Sequence, residues 1–181
     1  MTTTTVRSKN RRRGFSLMEV LVVTAVMGFF VSIATSSLVA LSRSSTSLVN
    51  YQDMNEQSRI MLELFARDLR SAVTVDSVSD TALTIQTITS DGSKKTISYT
   101  YSSSAGVIYR QEGSGVRDII LDDVAAFDMN FFTFRGQDTV NPIETKRVQI
   151  EAMMERTVLS SKNTNHIISA QFVLRNHRVS S

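Results

Sequence analysis

The chain contains no cysteine and no tryptophan, and only one proline and seven glycines among its 181 residues. Without cysteine there is no disulfide framework, no CxxC redox pair and no cysteine-based zinc site, so a domain built from it must be held by its core alone. Catalytic signatures are missing as well: there is no H-E-x-x-H, no G-x-S-x-G and no P-loop. His166 and His177 lie near the C-terminal end with no carboxylate at metal-ligand spacing, and they read as surface histidines. Asp122-Asp123, and Asp76 with Asp80, lack EF-hand spacing, and turn or solvated roles suit them better than calcium. No catalytic residue, metal site or cofactor is expected.

Acidic residues are absent from the first fourteen positions, which carry Arg7, Lys9, Arg11, Arg12 and Arg13. The sequence pI of about 9.4 therefore belongs to this leader, because the remainder holds 15 basic against 17 acidic side chains. That balance argues against nucleic acid as a partner, for which a basic face is the footprint. Charge is also missing from Val20 to Ser42. As a helix, these residues would span roughly 35 Å against a hydrocarbon core of roughly 30 Å. Positive flanks stay cytoplasmic, so the N-terminus is expected inside and the chain beyond Arg43 outside. Within the span Thr24, Gly28, Ser32 and Ser36 recur every four residues. Such a stripe of small residues is either a tolerated feature of a membrane helix or a packing seam for neighbouring helices.

At the head of the apolar stretch stands Arg11-Arg12-Arg13-Gly14-Phe15-Ser16-Leu17-Met18-Glu19. A carboxylate so close to a membrane-length segment is costly unless a partner group meets it. This segment resembles the class III signal of type IV prepilins and type II secretion pseudopilins: a short basic leader, a glycine, a phenylalanine, and a glutamate at the fifth mature position. The resemblance implies that prepilin peptidase cuts between Gly14 and Phe15 and methylates the new amine. It also implies that Glu19 meets the Phe15 amine of the next subunit during assembly. An ordinary secretory signal ending at Ala40-Leu41-Ser42 competes poorly, because its apolar region would run to about 7–15 residues and would not contain a glutamate. A plain signal anchor leaves the Gly-Phe-x-x-x-Glu spacing unexplained.

Beyond the span, Leu48, Tyr51, Met54, Met61, Leu62, Phe65 and Leu69 keep helical spacing, predicting an amphipathic helix with one buried face. Ser42 to Ser47 joins the two parts without glycine or proline, which favours a continuous helix. After Ala72 the period becomes alternating. Leu83, Ile85 and Thr87, then Ser90-Asp91-Gly92-Ser93, then Thr96 to Tyr101 predict a β-hairpin. Further strands are expected at Val107–Arg110, Val116–Leu121, Ala126–Phe134, Arg147–Met153 and Ile167–Leu174, with loops at Gly136–Pro142 and Ser160–Asn165. The expected architecture is α+β, a long N-terminal helix against one antiparallel sheet. The organisation reads as a leader (1–14), a membrane or filament-core helix (15–42), an amphipathic continuation (43–72) and a β-rich head (73–181).

Met61 to Ala72, with its Arg67-Asp68-Leu69-Arg70-Ser71-Ala72 ending, is similar to the helix end of J-type minor pseudopilins and W-type minor pilins. So are Asp123 to Phe127, Lys146 to Ile150 and the ending Phe172 to Asn176. Arg67, Asp68 and Arg70 themselves read as salt-bridging residues where helix meets sheet. Ser36 departs from the proline that many pilins carry at the twenty-second mature position, so nothing forces a kink there. The partners implied are prepilin peptidase, an inner-membrane assembly platform and other major and minor subunits. Two other functions remain open: a pilus-borne adhesin or DNA-uptake receptor, for which Lys94, Lys95, Arg175 and Arg178 are sparse candidates, and a membrane-tethered domain without a filament role.

Overall fold

A computed structural model describes residues 16–89, 91–158 and 161–176. The chain divides into two compact units, one through Ser42 and one from Arg43 onward. Helix α1, Leu17–Ser71, is followed by β1 (Ala72–Ser79), β2 (Ala82–Ile88), β3 (Lys94–Ser102), β4 (Val107–Glu112), β5 (Arg117–Leu121), β6 (Val124–Phe132), β7 (Arg147–Val158) and β8 (Ser161–Val173). The α+β class is as expected. The single sheet is not: β1 to β5 form a five-stranded antiparallel sheet in sequence order, and β6, β7 and β8 form a second sheet of three.

The division falls at Asp122 and Asp123, between β5 and β6. Asp123 adopts φ 54°, a left-handed conformation that aspartate tolerates better than most residues. There the chain leaves one sheet and enters the other. A second link joins the sheets where Gly106 (φ 65°) accepts a hydrogen bond from the Val124 N–H at 2.8 Å. A Cβ on Gly106 would stand 3.3 Å from the Val124 carbonyl oxygen, so both the backbone conformation and the close approach call for glycine.

The head core lies between the C-terminal half of α1 and both sheets. Met54, Met61, Phe65 and Leu69 supply the helical side, Leu83, Ile85, Tyr99 and Ile108 the first sheet, and Met129, Val148, Ile150 and Met154 the second. Phe65 stands between the sheets, with the Tyr99 ring 4.8 Å away and the Phe172 ring 5.3 Å away, both near edge-on. The predicted buried face is too long at its start. Leu48 and Tyr51 are exposed, because the buried stripe begins only at Met54; Tyr51 instead sets its ring edge-on against His166 at 5.6 Å.

The β2–β3 hairpin forms in the expected place. Asp91 accepts hydrogen bonds from the Ser93 N–H (2.9 Å) and hydroxyl (2.7 Å), and Gly92 takes φ 80°. Those bonds, the hydroxyl's foremost, hold the Asp91 carboxyl below its ordinary range. Strand β1 was not expected. The predicted loop at Ser160–Asn165 is also corrected, because β8 already begins at Ser161 and pairs with β7 back to Val158. Backbone ladder bonds sustain a hairpin through a polar stretch that has no apolar alternation to reveal it.

Candidate functional site

The N-terminal unit and the head carry separate features. Gly14 and Phe15 lie outside the described residues, as does the rest of the leader. Glu19 is exposed in the first turn of α1, where its own N–H and that of Val20 bond to the Ser16 carbonyl at 3.0 and 3.2 Å. A carboxylate in the first turn is favoured by the positive end of the helix dipole. Ser16 and Glu19 also stand at the S-x-x-E spacing of a capping box, a signal in the sequence that the motif reading passed over.

Helix α1 contains an 18-residue window apolar enough to cross a membrane, and none of that window is buried. Leu21, Met27, Phe29, Phe30, Val31 and Leu38 are among its bare side chains. Thr24, Gly28, Ser32 and Ser36 are all exposed. Their hydroxyls turn back onto the helix: Thr24 donates to the Val20 carbonyl (3.0 Å), Ser32 to Gly28 (2.9 Å) and Ser36 to Ser32 (2.9 Å). Polar groups without water need such internal partners. The stripe therefore offers a low profile with its donors already used.

The head holds a buried ionic node that the sequence reading only half anticipated. Asp68 is 3% exposed and accepts hydrogen bonds from the Tyr99 hydroxyl and from Arg110 Nε, each at 2.7 Å. Arg110, 6% exposed, also reaches Glu112 at 2.6 Å, and Lys95 pairs with the same carboxylate from the surface. Arg67 touches Asp68 from outside at 3.3 Å. Burial first, then the bond to Asp68, push the Tyr99 phenol far above its ordinary value. Burial opposes the charge on Arg110, but its bonds to Asp68 and Glu112 outweigh that and raise its pKa. Hydrogen bonds from Lys95 and then Arg110 hold the Glu112 carboxyl below the usual range. The charges thus stay fixed and paired, which suits a structural joint between α1, β3 and β4.

At the helix end, Asn176 Nδ2 donates to the Arg70 carbonyl at 3.0 Å and the Ser71 hydroxyl to the Asp68 carbonyl at 2.9 Å. Two terminal carbonyls of α1 thereby find partners, although the chain passes directly into β1. A second ionic cluster gathers on Arg156, which bonds Asp53 and Asp123 and reaches Asp122 at 3.3 Å. The Asp122-Asp123 pair thus serves an arginine. Asp76 accepts from Gln86 Nε2 at 2.8 Å, and the Asp80 carbonyl accepts from the Met129 N–H at 2.9 Å. His166 is half-buried with Nε2 3.1 Å from the hydroxyl of Ser58; His177 and Arg178 lie outside the described residues. Of the sparse basic candidates, Lys95 is engaged by Glu112.

The family signature described as prokaryotic N-terminal methylation motif matches residues 9–35. No curated protein matches the chain. The matched stretch covers the end of the basic leader from Lys9, Gly14, Phe15, Glu19 and the start of the exposed apolar helix. Together, the motif and the α+β arrangement point to a structural subunit and not an enzyme, and the apolar helix is consistent with membrane anchoring. The N-terminal methylation motif supports the prepilin and pseudopilin family for this protein, as a type IV pilin or pseudopilin subunit handled by prepilin peptidase and assembled with other pilins.

Proposed function

We propose that the protein is a minor pilin or minor pseudopilin, incorporated with sister subunits into the tip or initiation complex of a type IV pilus or type II secretion pseudopilus. The observation that carries this reading is the methylation motif over residues 9–35, running directly into an unburied apolar helix. In this reading prepilin peptidase cuts after Gly14 and methylates the amine of Phe15. The N-terminus lies on the cytoplasmic side of the inner membrane and the head outside it. Glu19 of one subunit then meets the Phe15 amine of a neighbour in a medium of low dielectric. Each charge offsets the other's desolvation, and a subunit out of register leaves both unpaired. Thr24, Gly28, Ser32 and Ser36 form the seam along which neighbouring helices approach. The resemblance of residues 61–72 to J- and W-type subunits supports the minor class. The charge balance after the leader, 15 basic against 17 acidic side chains, does not favour a nucleic-acid receptor.

Intact mass and peptide mapping of membrane-extracted protein, with and without co-expressed prepilin peptidase, test this. The expected product is a peptidase-dependent N-methylated chain starting at Phe15. A start at Met1 in both samples would reduce the protein to a membrane anchor, and a start at Arg43 would make it a secreted domain.

A further inference from the structure

A sheet edge is a template for a further strand, and proteins guard their edges with bulges, short length or charge. The other edges of this head are guarded. Strand β1 carries two register shifts; β6 carries one, and its Met129 N–H is bonded to the Asp80 carbonyl. Strand β5 is five residues long and opens with Arg117 and Asp118. Strand β8 is the outer strand of the second sheet, and from Asn165 to Val173 it has none of these devices. It pairs with β7 there without a register shift, and residues 165–174 hold no lysine, arginine, aspartate, glutamate or proline.

Open space lies along this edge. A groove of about 490 Å³ runs between Leu62 on the flank of α1 and Ile168 on β8. At Ala66 and Arg70 it meets a second hollow, of about 210 Å³, that reaches Arg175. The helix side from Asn55 to Arg70 is about 22 Å long, and the strand side from His166 to Val173 about 24 Å, room for about seven extended residues. Leu62 and Ala66 give the groove an apolar floor. Its rim is basic: Arg59, Arg70 and Arg175 are all exposed, and Arg70 and Arg175 make no ion pair among the described residues. Glu63 is the carboxylate on this rim, and its 3.8 Å pairing with Arg59 joins two largely exposed side chains, an arrangement that holds an arginine only weakly. This excess of cations stands on a chain whose residues after the leader hold 15 basic against 17 acidic side chains.

We propose that this groove binds an extended acidic segment of a partner protein, which adds a strand to β8. The backbone groups of β8 that lie outside the β7 ladder supply the hydrogen bonds, and the rim supplies the selectivity. Arg59 and Arg70 stand about 17 Å apart along the helix axis, so they favour a carboxylate at either end of about five extended residues. A nucleic acid could meet the arginines, but it would leave the row of backbone groups unpaired. The chain's own leader is repelled by like charge. The site lies within the head and goes beyond the filament-subunit reading, which it does not require.

The test titrates the full-length protein in mild detergent with a fluorescent peptide of about ten residues, alternating valine with glutamate, and follows anisotropy. Saturable binding is expected. Arg59→Glu combined with Arg70→Glu, both at exposed positions, should weaken it about tenfold. The same peptide with lysine for glutamate should not bind. Methylating the backbone nitrogens of the glutamate peptide removes its ladder donors without touching the protein, and should abolish binding. Undiminished binding of the methylated peptide would show a charge contact without strand addition and overturn the proposal. So would equal binding of the lysine peptide, no binding of the glutamate peptide, or a preference for single-stranded oligothymidine. If the protein alone is a dimer that the peptide dissociates, or binds only after residues 177–181 are removed, a second copy or the chain's own end occupies the edge and the proposal falls.

Discussion

Replacing Asp68 by asparagine removes one negative charge from the interior of the head while keeping the side chain's shape. The carboxylate serves two buried donors, the Tyr99 hydroxyl and Arg110 Nε. Both bond the same oxygen, so an amide oxygen placed there still accepts from each. What is lost is the negative charge facing the buried Arg110 guanidinium, while the N–H₂ turns toward Arg67, which bonds the other carboxylate oxygen. Breaking a buried ion pair by removing one partner costs about 3–5 kcal/mol. The lower end applies here, because Glu112 still holds the guanidinium at 2.6 Å from its half-exposed side. A loss of about 3 kcal/mol with a urea slope of about 1.5 kcal/mol/M lowers the unfolding midpoint by about 2 M. Pulse proteolysis of the full-length chain in mild detergent, across a urea series, reads that midpoint. Removing both charges with Asp68→Leu and Arg110→Met should cost clearly less than the sum of the two single changes, with a coupling of about 1–3 kcal/mol. The reasoning fails if Asp68→Asn shifts the midpoint by less than about 0.5 M, or if the double variant loses the full sum.

Two further predictions concern the same head. Glu112 has its folded pKa depressed below the ordinary 4.5, so its contribution to stability is present above that pH and is lost as pH falls through the folded value. Glu112→Gln should flatten the acid limb of a stability-against-pH profile measured by the same proteolysis assay; an unchanged limb counts against the Lys95–Glu112–Arg110 chain. Gly106→Ala should destabilise the head by about 1–2 kcal/mol, from the left-handed backbone and the 3.3 Å approach to the Val124 carbonyl. Thermal unfolding checks this, and a neutral or stabilising result would show that the two sheets are not tied there.

Much of the fold is legible in the residues because it is local. Met54, Met61, Phe65 and Leu69 mark the buried stripe by period alone, and Asp91-Gly92 announces its hairpin by turn chemistry. Strand β1 escapes because register shifts between Ala72 and Thr74 and between Val75 and Ser77 break its alternation. The division into two sheets escapes because it hinges on Asp123 taking a positive φ, which composition does not disclose. The Asp68–Arg110 joint lies between these cases. Arg67-Asp68-Leu69-Arg70 suggests ion pairs at a helix end, yet the partner is 42 positions away. The available clue is parity, since Arg110 stands two residues from the buried Ile108 on a core-facing side of β4, where an arginine needs a countercharge. At the N-terminus the order is reversed: Gly14, Phe15 and Glu19 stand out in sequence as a spacing, while the described structure begins only at Ser16.

Phe65 is enclosed by Tyr99 on one side and Phe172 on the other, and this sets a clock on synthesis. At about 5–20 residues per second, the ribosome reaches Phe172 some 5–20 s after Phe65. The first sheet is complete only once Leu121 has been made, about half-way through that interval. Phe65 therefore lacks Tyr99 at first and Phe172 until the end, and a nascent head exposes part of its aromatic cluster throughout. Chaperones that shield apolar helix faces, and proteases that patrol for them, therefore have a defined window in which to act on this protein.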